Sequence, residues 1–379
     1  MRFVNFLIKP ASSLCNLRCR YCFYADEAAH RAAPSLGVMA DGTVDTLLTE
    51  AFCTVEPGGA VSFAFQGGEP TVAGLEFFRQ FAAKARARCP KGVELRFSIQ
   101  TNGTLLDEEW AEFFRQERFL VGLSLDGFKD LHDHHRVDAE GAGTWNRVAK
   151  AARLLQSRGV EVNALCVVTG QCARSPEKAY NSLKKLGLRY LQFIACLDPI
   201  GVPRGCMPYS LTAEVYGRFL CRLFDLWYAD WAAGQYCSVR LFDDYVHVLL
   251  GDGASTCATC GRCGAYFVAE ADGSVYPCDF FVLDEWRMGR LGETPLSAMA
   301  NGERAAAFLQ WGREKPAECA GCRWRAVCGG GCKNDWVTDA AGQPHNYLCK
   351  AFDMLLTHAA PRLAAVARAE ARARGAGRI

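Results

Sequence analysis

The distribution of cysteines is the feature that most constrains this chain. Twenty cysteines occur in 379 residues, and twelve of them fall into two dense groups. The first group is an N-terminal triplet of Cys15, Cys19 and Cys22. The second group lies in the last third of the chain and comprises Cys257, Cys260, Cys263, Cys278, Cys319, Cys322, Cys328, Cys332 and Cys349. A long intracellular chain does not use so many cysteines as a disulfide framework, so both groups predict metal centres.

Length and charge narrow the class of protein further. The chain is long enough for one large or two ordinary domains with a substantial core. Its formal net charge is +2 and only 22% of its residues are charged, which gives no electrostatic footprint for nucleic acid or an anionic membrane. Neither a secretory leader nor an apolar run of membrane-spanning length is recognisable. We therefore expect a cytoplasmic protein without a nucleic-acid or membrane partner.

Apolar, β-rich runs alternate with helical patterns between the two cysteine groups. The runs occur at residues 61–65, 95–100, 120–127, 160–168 and 188–196, and helical patterns occur at 75–89 and 107–117, the second with Asp107 as a predicted N-cap. Regular alternation predicts parallel strands joined by helices, in an α/β barrel or a doubly wound sheet. Functional groups of such folds lie where strands end and loops begin.

The character of the sequence changes after Trp231. Residues 232–240 have the composition of a linker, and glycines and cysteines dominate beyond it. We predict a domain boundary near Gly234, with one domain at 1–234 and a second, metal-stabilised domain at 235–379. The Ala/Arg-rich residues 360–379 predict a terminal helix with a frayed end, since the balanced charge disfavours a nucleic-acid arm.

The N-terminal triplet, in C-x3-C-x2-C spacing, is a poor zinc site because structural zinc prefers four protein ligands. Three thiolates on a four-iron cluster would instead leave one iron open to a small chelating molecule. Tyr21, Phe23 and Tyr24 would shield this centre from water.

A second motif, GGEP at residues 67–70, follows the run at 61–65. Its glycines allow close approach of the main chain, and Glu69 supplies an anion for an ammonium group, although an ordinary turn is the alternative interpretation of these residues.

Together the two motifs resemble those of the radical S-adenosylmethionine superfamily. The resemblance implies that the triplet holds a [4Fe–4S] cluster whose open iron binds S-adenosylmethionine, with the methionine amino group received by GGEP. The implied cofactor contacts are Tyr21, Gln66, Gly67, Gly68, Glu69, Gln100, Ser124 and Leu197, with Asn102, Asp126 and Arg136 nearby. The alternative is that these strand-end residues only form turns. His132, His134 and His135 suggest a metal site, but we favour a solvated loop.

The C-terminal cysteines follow the pattern C-x2-C-x5-C-x3-C, with Cys349 beyond it. Two four-cysteine zinc sites remain possible from spacing alone. The pattern resembles the SPASM extension, and residues 266–291 with FQGGEP, SLDGF and IACLDP are similar to anaerobic sulfatase-maturating enzymes. This resemblance implies a partial (β/α)6 TIM-like barrel, a C-terminal iron–sulfur domain and three [4Fe–4S] clusters in all. It assigns one auxiliary cluster to Cys257, Cys263, Cys278 and Cys332, and the other to Cys319, Cys322, Cys328 and Cys349. Cys260 stays unassigned.

The same resemblance implies a reaction. A 5′-deoxyadenosyl radical removes hydrogen from the β-carbon of a cysteine or serine, which becomes Cα-formylglycine. Asp279, next to Cys278, is the predicted base, although it could merely support the ligand or cap a turn. Tyr24 and Gln66 are predicted to contact the target residue. The implied partners are an unfolded Cys/Ser-x-Pro/Ala-x-Arg segment of a sulfatase, and flavodoxin or ferredoxin as electron donor.

Two further classes compete with this hypothesis. A related SPASM maturase would oxidise a ribosomal peptide or crosslink it through a thioether, with a neighbouring sulfur quenching the substrate radical. A zinc-stabilised interaction protein would use the cysteines without redox chemistry. The aspartate in YPCDFF favours aldehyde formation over the crosslink.

Overall fold

The computed structural model describes residues 1–264, 266–338 and 342–376. The strands are β1 (Phe3–Ile8), β2 (Ala60–Phe65), β3 (Glu94–Thr101), β4 (Phe119–Ser124), β5 (Glu161–Val168), β6 (Tyr190–Ala195), β7 (Ser238–Val239), β8 (Phe267–Ala269), β9 (Ser274–Tyr276), β10 (Gly289–Arg290), β11 (Trp336–Thr338) and β12 (Pro344–Asn346). The helices are α1 (Phe23–Ala29), α2 (Asp41–Thr54), α3 (Leu75–Arg88), α4 (Glu108–Glu117), α5 (Lys129–His135), α6 (Trp145–Ser157), α7 (Pro176–Lys185), α8 (Ala213–Ala232), α9 (Arg240–Leu250), α10 (Cys257–Cys260), α11 (Leu296–Asn301), α12 (Glu303–Arg313), α13 (Arg325–Cys328) and α14 (Cys349–Ala376). Across these ranges no helix has both the length and the apolar character needed to cross a membrane.

The chain forms two compact units, each built from several segments. The first unit comprises Met1–Leu125, His132–Ala164 and Ala265–Phe308, and the second comprises Asp126–Leu131, Leu165–Gly264 and Leu309–Ile379. This division differs from the domain boundary that the sequence predicts near Gly234. Gly234 has a φ of 70° and lies in the turn between α8 and β7, within the second unit.

The first unit contains a sheet with the strand order β10-β9-β8-β1-β2-β3-β4. Neighbouring strands from β8 to β4 are parallel, whereas β9 and β10 are antiparallel to the strands before them. The alternation predicted from the sequence is confirmed, since helices separate β1 to β6 along the chain. The helix predicted after Asp107 is α4, and the Asp107 carboxylate caps it by accepting two main-chain N–H groups.

A row of phenylalanines runs across this sheet at one register position. Phe267, Phe6, Phe63, Phe97 and Phe119 are consecutive partners on β8, β1, β2, β3 and β4. Their neighbouring ring centroids are 5.1 to 6.2 Å apart, and all five rings are buried. Aromatic pairs at this spacing add to the free energy of burial. The row therefore fixes the strand register, and with it the relative position of the strand ends that carry the candidate site.

In the second unit, β6 pairs in parallel with β7, and α8 packs along α14. A Cβ atom on Gly217 of α8 would lie 2.6 Å from the Met354 sulfur, so glycine allows this close helix contact. The predicted terminal helix is confirmed as the C-terminal part of α14, and residues 377–379 of its predicted frayed end lie outside the described residues.

Phe63 is the centre of the aromatic row, because its ring also contacts Phe52 and Phe81. Replacing Phe63 with alanine should lower the free energy of unfolding by about 3–5 kcal/mol, through lost burial and the cavity left behind. Urea titration followed by circular dichroism measures the change. Phe3→Ala, at a side chain that is 59% exposed on the same sheet, is the matched control. Equal losses in the two variants would contradict the role given to the row.

Candidate functional site

The loop that carries the cysteine triplet lies directly against the GGEP loop. The N–H of Gly68 donates to the carbonyl of Ser12 (2.9 Å), and the N–H of Glu69 donates to the carbonyl of Leu14 (2.8 Å). A Cβ atom on Gly68 would lie 2.2 Å from the Leu14 oxygen. Gly67 has a φ of 130°, which favours glycine. The two glycines are therefore needed for the contact between these loops.

The Glu69 carboxylate is buried, with 1% of the residue exposed. Its Oε1 accepts hydrogen bonds from the N–H of Thr71 (3.0 Å) and from the hydroxyls of Thr71 (2.6 Å) and Thr101 (2.7 Å). Its Oε2 accepts the N–H of Asn102 (2.7 Å). Burial raises the pKa of Glu69, and these hydrogen bonds oppose that effect. Spare acceptor capacity for a ligand therefore lies mainly on Oε2.

Donors surround the sulfurs of the triplet. Main-chain N–H groups lie 3.4 Å from Cys15 Sγ and Cys22 Sγ, and Cys22 is the N-cap of α1. The Arg136 guanidinium donates to Cys19 Sγ at 3.9 Å. Burial raises the pKa of the Cys15 thiol to about 11, so a metal charge is required to hold it as thiolate. Donors aimed at all three sulfurs fit the anionic ligands of an iron–sulfur cluster.

The other predicted cofactor residues lie at strand ends, as expected. Gln100 and Ser124, on β3 and β4, are joined by a hydrogen bond from the glutamine amide to the serine hydroxyl (2.9 Å). Asn102 follows β3 and is within 4.0 Å of Cys15 Sγ. Asp126 and Leu197 belong to the second unit, where Asp126 accepts the N–H of Val167 (2.9 Å).

The histidine run is not the solvated loop expected from the sequence, because it lies on α5. His132 is buried, with Nε2 2.9 Å from the hydroxyl of Thr144. His135 is also buried and its ring lies 5.3 Å from that of Tyr21, whereas His134 is exposed. Among residues 1–264, 266–338 and 342–376, no three Cys, His, Asp or Glu side chains are grouped so that they could hold one metal ion.

Asp279 forms a buried ion pair that the sequence did not reveal. The Lys9 ammonium lies 2.5 Å from Asp279 Oδ1, and the Gln66 amide donates to Asp279 Oδ2 at 2.6 Å. Lys9 is fully buried, while the Asp279 side chain keeps 13% of its surface exposed. Lys9 and Gln66 directly follow β1 and β2, which are paired in parallel. The strand ends therefore hold an oriented carboxylate whose charge is balanced and which is partly accessible.

A second buried pair supports the first. The Arg31 guanidinium donates to Glu270 at 2.5 Å, and the Tyr24 hydroxyl donates to the same carboxylate. The Tyr24 ring lies 3.7 Å from the Lys9 ammonium. Burial raises the pKa of Tyr24 well above its usual value. The Tyr24 hydroxyl therefore donates its hydrogen bond to Glu270, while the face of the Tyr24 ring stabilises the Lys9 ammonium, which pairs with Asp279.

Glu27 on α1 is a third carboxyl group in this region. It is 3% exposed. Burial, followed by the charge of Asp279, raises the pKa of Glu27 to about 9, against opposing effects from Lys9 and Arg31. Glu27 is therefore neutral at pH 7. The two cations then balance the two anions Asp279 and Glu270.

One predicted set of C-terminal ligands lies within a single unit. Cys319, Cys322, Cys328 and Cys349 all belong to the second unit. Burial, followed by the charge of Glu318 and then by the other three thiols, raises the pKa of Cys349 to about 12. The Lys315 ammonium also interacts with Cys319 and Cys328.

The other predicted set is divided between the units. Cys257, Cys263 and Cys332 belong to the second unit, and Cys278 belongs to the first. Burial, followed by the charge of Cys263, raises the pKa of the Cys257 thiol. The thiol of Cys260 instead donates to the carbonyl of Ala254 (3.0 Å).

Sequence reasoning missed Lys9, Glu270, Glu27 and Arg31. A signal existed for the first two, because Lys9 follows β1 and Glu270 follows β8, the same strand-end position that Gln66 has after β2. Glu27 and Arg31 had no such signal. Their positions depend on how α1 and the residues after it fold against the sheet.

The neutral state of Glu27 predicts an effect of pH on stability. Between pH 5 and 9 the folded chain holds a proton on Glu27 that the unfolded chain has released, so this group makes the folded state less stable as pH rises, by up to about 1.4 kcal/mol per pH unit. Glu27→Gln should remove that slope and be more stable than wild type at pH 8. Urea titrations across the range test this, with exposed Glu140→Gln as control. Parallel pH dependence in wild type and Glu27→Gln would contradict it.

Comparison with known proteins agrees with these features. The Radical SAM superfamily profile matches residues 10–183, and an iron–sulfur cluster-binding domain, SPASM, matches residues 255–323. The chain is 41% identical over 369 residues to the cysteine-type anaerobic sulfatase-maturating enzyme of Clostridium novyi, covering 97% of this chain and 98% of that one. It is 32% identical to the serine-type enzyme of Bacteroides thetaiotaomicron, covering 94% and 89%.

A solved structure supports the same relationship. The structure of anSMEcpe with bound AdoMet and Cp18Cys peptide superposes with a TM-score of 0.91 at 40% identity, covering 97% of this chain and 99% of that one. The α/β fold with a TIM-like core and a C-terminal SPASM domain is thereby confirmed, as are S-adenosylmethionine and [4Fe–4S] clusters as cofactors. The zinc hypothesis is wrong. This chain belongs to the anaerobic sulfatase-maturating enzymes of the radical S-adenosylmethionine superfamily.

Proposed function

We propose that this enzyme oxidises a cysteine in an unfolded Cys-x-Pro/Ala-x-Arg segment of a sulfatase to Cα-formylglycine, with serine as the secondary target. The single observation that carries the proposal is the Asp279 carboxylate, held by Lys9 and Gln66 and directly following Cys278. Higher identity to the cysteine-type relative than to the serine-type relative supports cysteine as the preferred target.

The cofactor would be held by the residues around the triplet. We assign one cluster to Cys15, Cys19 and Cys22. The GGEP main chain and Glu69 Oε2 are placed to receive an ammonium group, and Tyr21, Gln100, Ser124, Leu197 and Arg136 are the further proposed contacts. When bound, S-adenosylmethionine supplies a 5′-deoxyadenosyl radical that takes one hydrogen atom from the β-carbon of the target.

Asp279 is the proposed base of the reaction. After hydrogen abstraction, oxidation to the thioaldehyde requires the target thiol to lose one proton and the residue to lose one electron. Lys9 and Gln66 each bind one oxygen of Asp279, which holds the carboxylate in one orientation for that proton. Water then converts the thioaldehyde to formylglycine and hydrogen sulfide.

Gln66 and Tyr24 contribute differently to target recognition. Gln66 is only partly buried, so we assign it direct contact with the target. The Tyr24 hydroxyl is already bound to Glu270, so Tyr24 would act on the target mainly through Lys9 and Asp279.

The C-terminal cysteines are assigned to electron transfer. One auxiliary cluster would be held by Cys257, Cys263, Cys278 and Cys332, and the other by Cys319, Cys322, Cys328 and Cys349. The two clusters would accept the electron that remains after hydrogen abstraction. Cys260 is a spare thiol in this assignment because it bonds to a carbonyl. We propose that residues 1–234 form the radical core domain and that residues 235–379 form the electron-transfer domain.

The cellular setting follows from the same chemistry. Clusters with an open iron require a reducing, oxygen-poor compartment, so we propose a cytoplasmic enzyme. Flavodoxin or ferredoxin would supply its electrons, and neither nucleic acid nor a membrane would be a partner.

The activity is tested by anaerobic incubation of the cluster-reconstituted enzyme with S-adenosylmethionine, a reductant and a Cys-x-Pro-x-Arg peptide. Mass spectrometry should show a loss of about 18 Da for conversion of cysteine to formylglycine. A peptide with the target cysteine replaced by alanine is the control. A loss of only about 2 Da would instead indicate a stalled thioaldehyde or a thioether crosslink, and would favour the peptide-crosslinking alternative.

The base is tested by Asp279→Asn. This variant should cleave S-adenosylmethionine at the wild-type rate but form formylglycine at least about 100-fold more slowly, since general base catalysis contributes 10²–10⁴-fold. Chromatography of 5′-deoxyadenosine and mass spectrometry of the peptide measure the two steps. Exposed Asp284→Asn, five residues further on, is the matched control. Unimpaired product formation in Asp279→Asn would remove the base from this residue.

The triplet is tested by replacing Cys15, Cys19 and Cys22 with alanine together. Cofactor cleavage should fall below detection, because no other cysteines are assigned to the open cluster. Iron analysis should show that the variant has lost one of its three clusters. Substitution of Cys260 is the control and should leave both the iron content and the cleavage unchanged. Retained cleavage in the triple variant would overturn the assignment.

A further inference from the structure

Tyr266 lies immediately before β8 and is neither a proposed cluster ligand nor the proposed base. Its ring packs against the cluster of buried residues that contains Tyr24, Val268 and Val282. Cys22 and Phe23 pack against the same cluster. Tyr266 is therefore close to the proposed base and the triplet segment within the first unit.

The Tyr266 hydroxyl makes two hydrogen bonds whose directions are fixed. The main-chain N–H of Asp279 lies 3.0 Å from the oxygen, and the Cys278 sulfur lies 3.5 Å from it. A backbone N–H can only donate, so the tyrosine oxygen is the acceptor in the first bond. The hydroxyl carries one proton, which is directed to the sulfur. Tyr266 thus accepts from the base residue and donates to the neighbouring ligand.

A donor on a ligand sulfur has an electronic consequence. Hydrogen bonds to the sulfurs of an iron–sulfur cluster are among the factors that set its reduction potential. An added donor stabilises the more negative, reduced state and therefore makes the cluster a better electron acceptor. A hydrogen bond to a charged group is also stronger than one between neutral groups.

We propose that Tyr266 is a positioning residue that couples proton and electron removal, because one hydroxyl both fixes the main chain of Asp279 and raises the reduction potential of the cluster held by Cys278. This inference deepens the proposed function and rests on it. Loss of the hydroxyl would disturb the orientation of the base and weaken the electron acceptor together, although neither Asp279 nor Cys278 is changed.

The first test measures reduction potentials in Tyr266→Phe, built on the variant without the Cys15, Cys19 and Cys22 thiols so that only the auxiliary clusters remain. In an anaerobic redox titration followed by electron paramagnetic resonance, one auxiliary cluster should shift to a more negative potential. The other cluster is an internal reference and should not move. Tyr276→Phe removes a hydroxyl from the same buried cluster and is the matched control, with no shift expected.

The second test measures coupling in Tyr266→Phe with the triplet intact. Cleavage of S-adenosylmethionine should stay at the wild-type level, while formylglycine formed per 5′-deoxyadenosine should fall roughly tenfold, as expected for loss of one hydrogen bond to a charged group. Incorporation of 3-fluorotyrosine at position 266 retains the ring and strengthens the donor, so it should shift the potential in the opposite direction. This variant also keeps the proposal testable if the phenylalanine variant fails to fold.

The outcomes separate this inference from the proposed function. The redox titration needs no substrate, so a one-cluster shift supports the Tyr266 bond even if the wild-type enzyme fails to form formylglycine. Unchanged potentials in both the phenylalanine and the 3-fluorotyrosine variants would overturn the inference while leaving the role of Asp279 intact. Equal shifts in Tyr276→Phe would also overturn it, because packing alone would then explain the effect.

Discussion

The buried ion pair between Lys9 and Asp279 is the interaction on which the rest of the site depends. It joins the end of β1 to a residue 270 positions further along the chain, at a distance of 2.5 Å. Lys9 is fully buried, so removal of either partner would leave an uncompensated charge, typically at a cost of about 3–5 kcal/mol. The N-terminal strand is therefore tied to the segment after Cys278.

This ion pair is tolerated because its surroundings are close to neutral. Arg31 and Glu270 form a second pair, Tyr24 bonds to Glu270, and the Tyr24 ring covers the Lys9 ammonium. Glu27 retains its proton because a third anion would be buried without a cation of its own. The result is a carboxylate held in one orientation at a partly exposed position, which is the requirement for a base that acts on a bound peptide.

The aromatic row places these groups. It sets β8, β1 and β2 in a common register, so that the residues following them, Glu270, Lys9 and Gln66, lie at the same edge of the sheet. Packing of large apolar rings thus determines which polar side chains meet, although the rings take no part in the chemistry. The same argument explains why Gln100 and Ser124, on β3 and β4, share a hydrogen bond.

The sequence alone determined the strand–helix alternation and the cap at Asp107, because apolar periodicity and capping are local properties of the chain. Its resemblance to known motifs gave the family and the candidate ligands. It did not determine the burial of His132 and His135, the partners of Asp279 or the protonation of Glu27. The burial of the histidines depends on how α5 packs. The other two properties depend on residues distant in the sequence, such as Lys9 and Asp279, meeting in a medium with little water, where the balance of charges decides which groups stay ionised. Only the tertiary structure brings Lys9, Glu27 and Asp279 into one region, and so only it shows how the carboxylate is held for its proposed role.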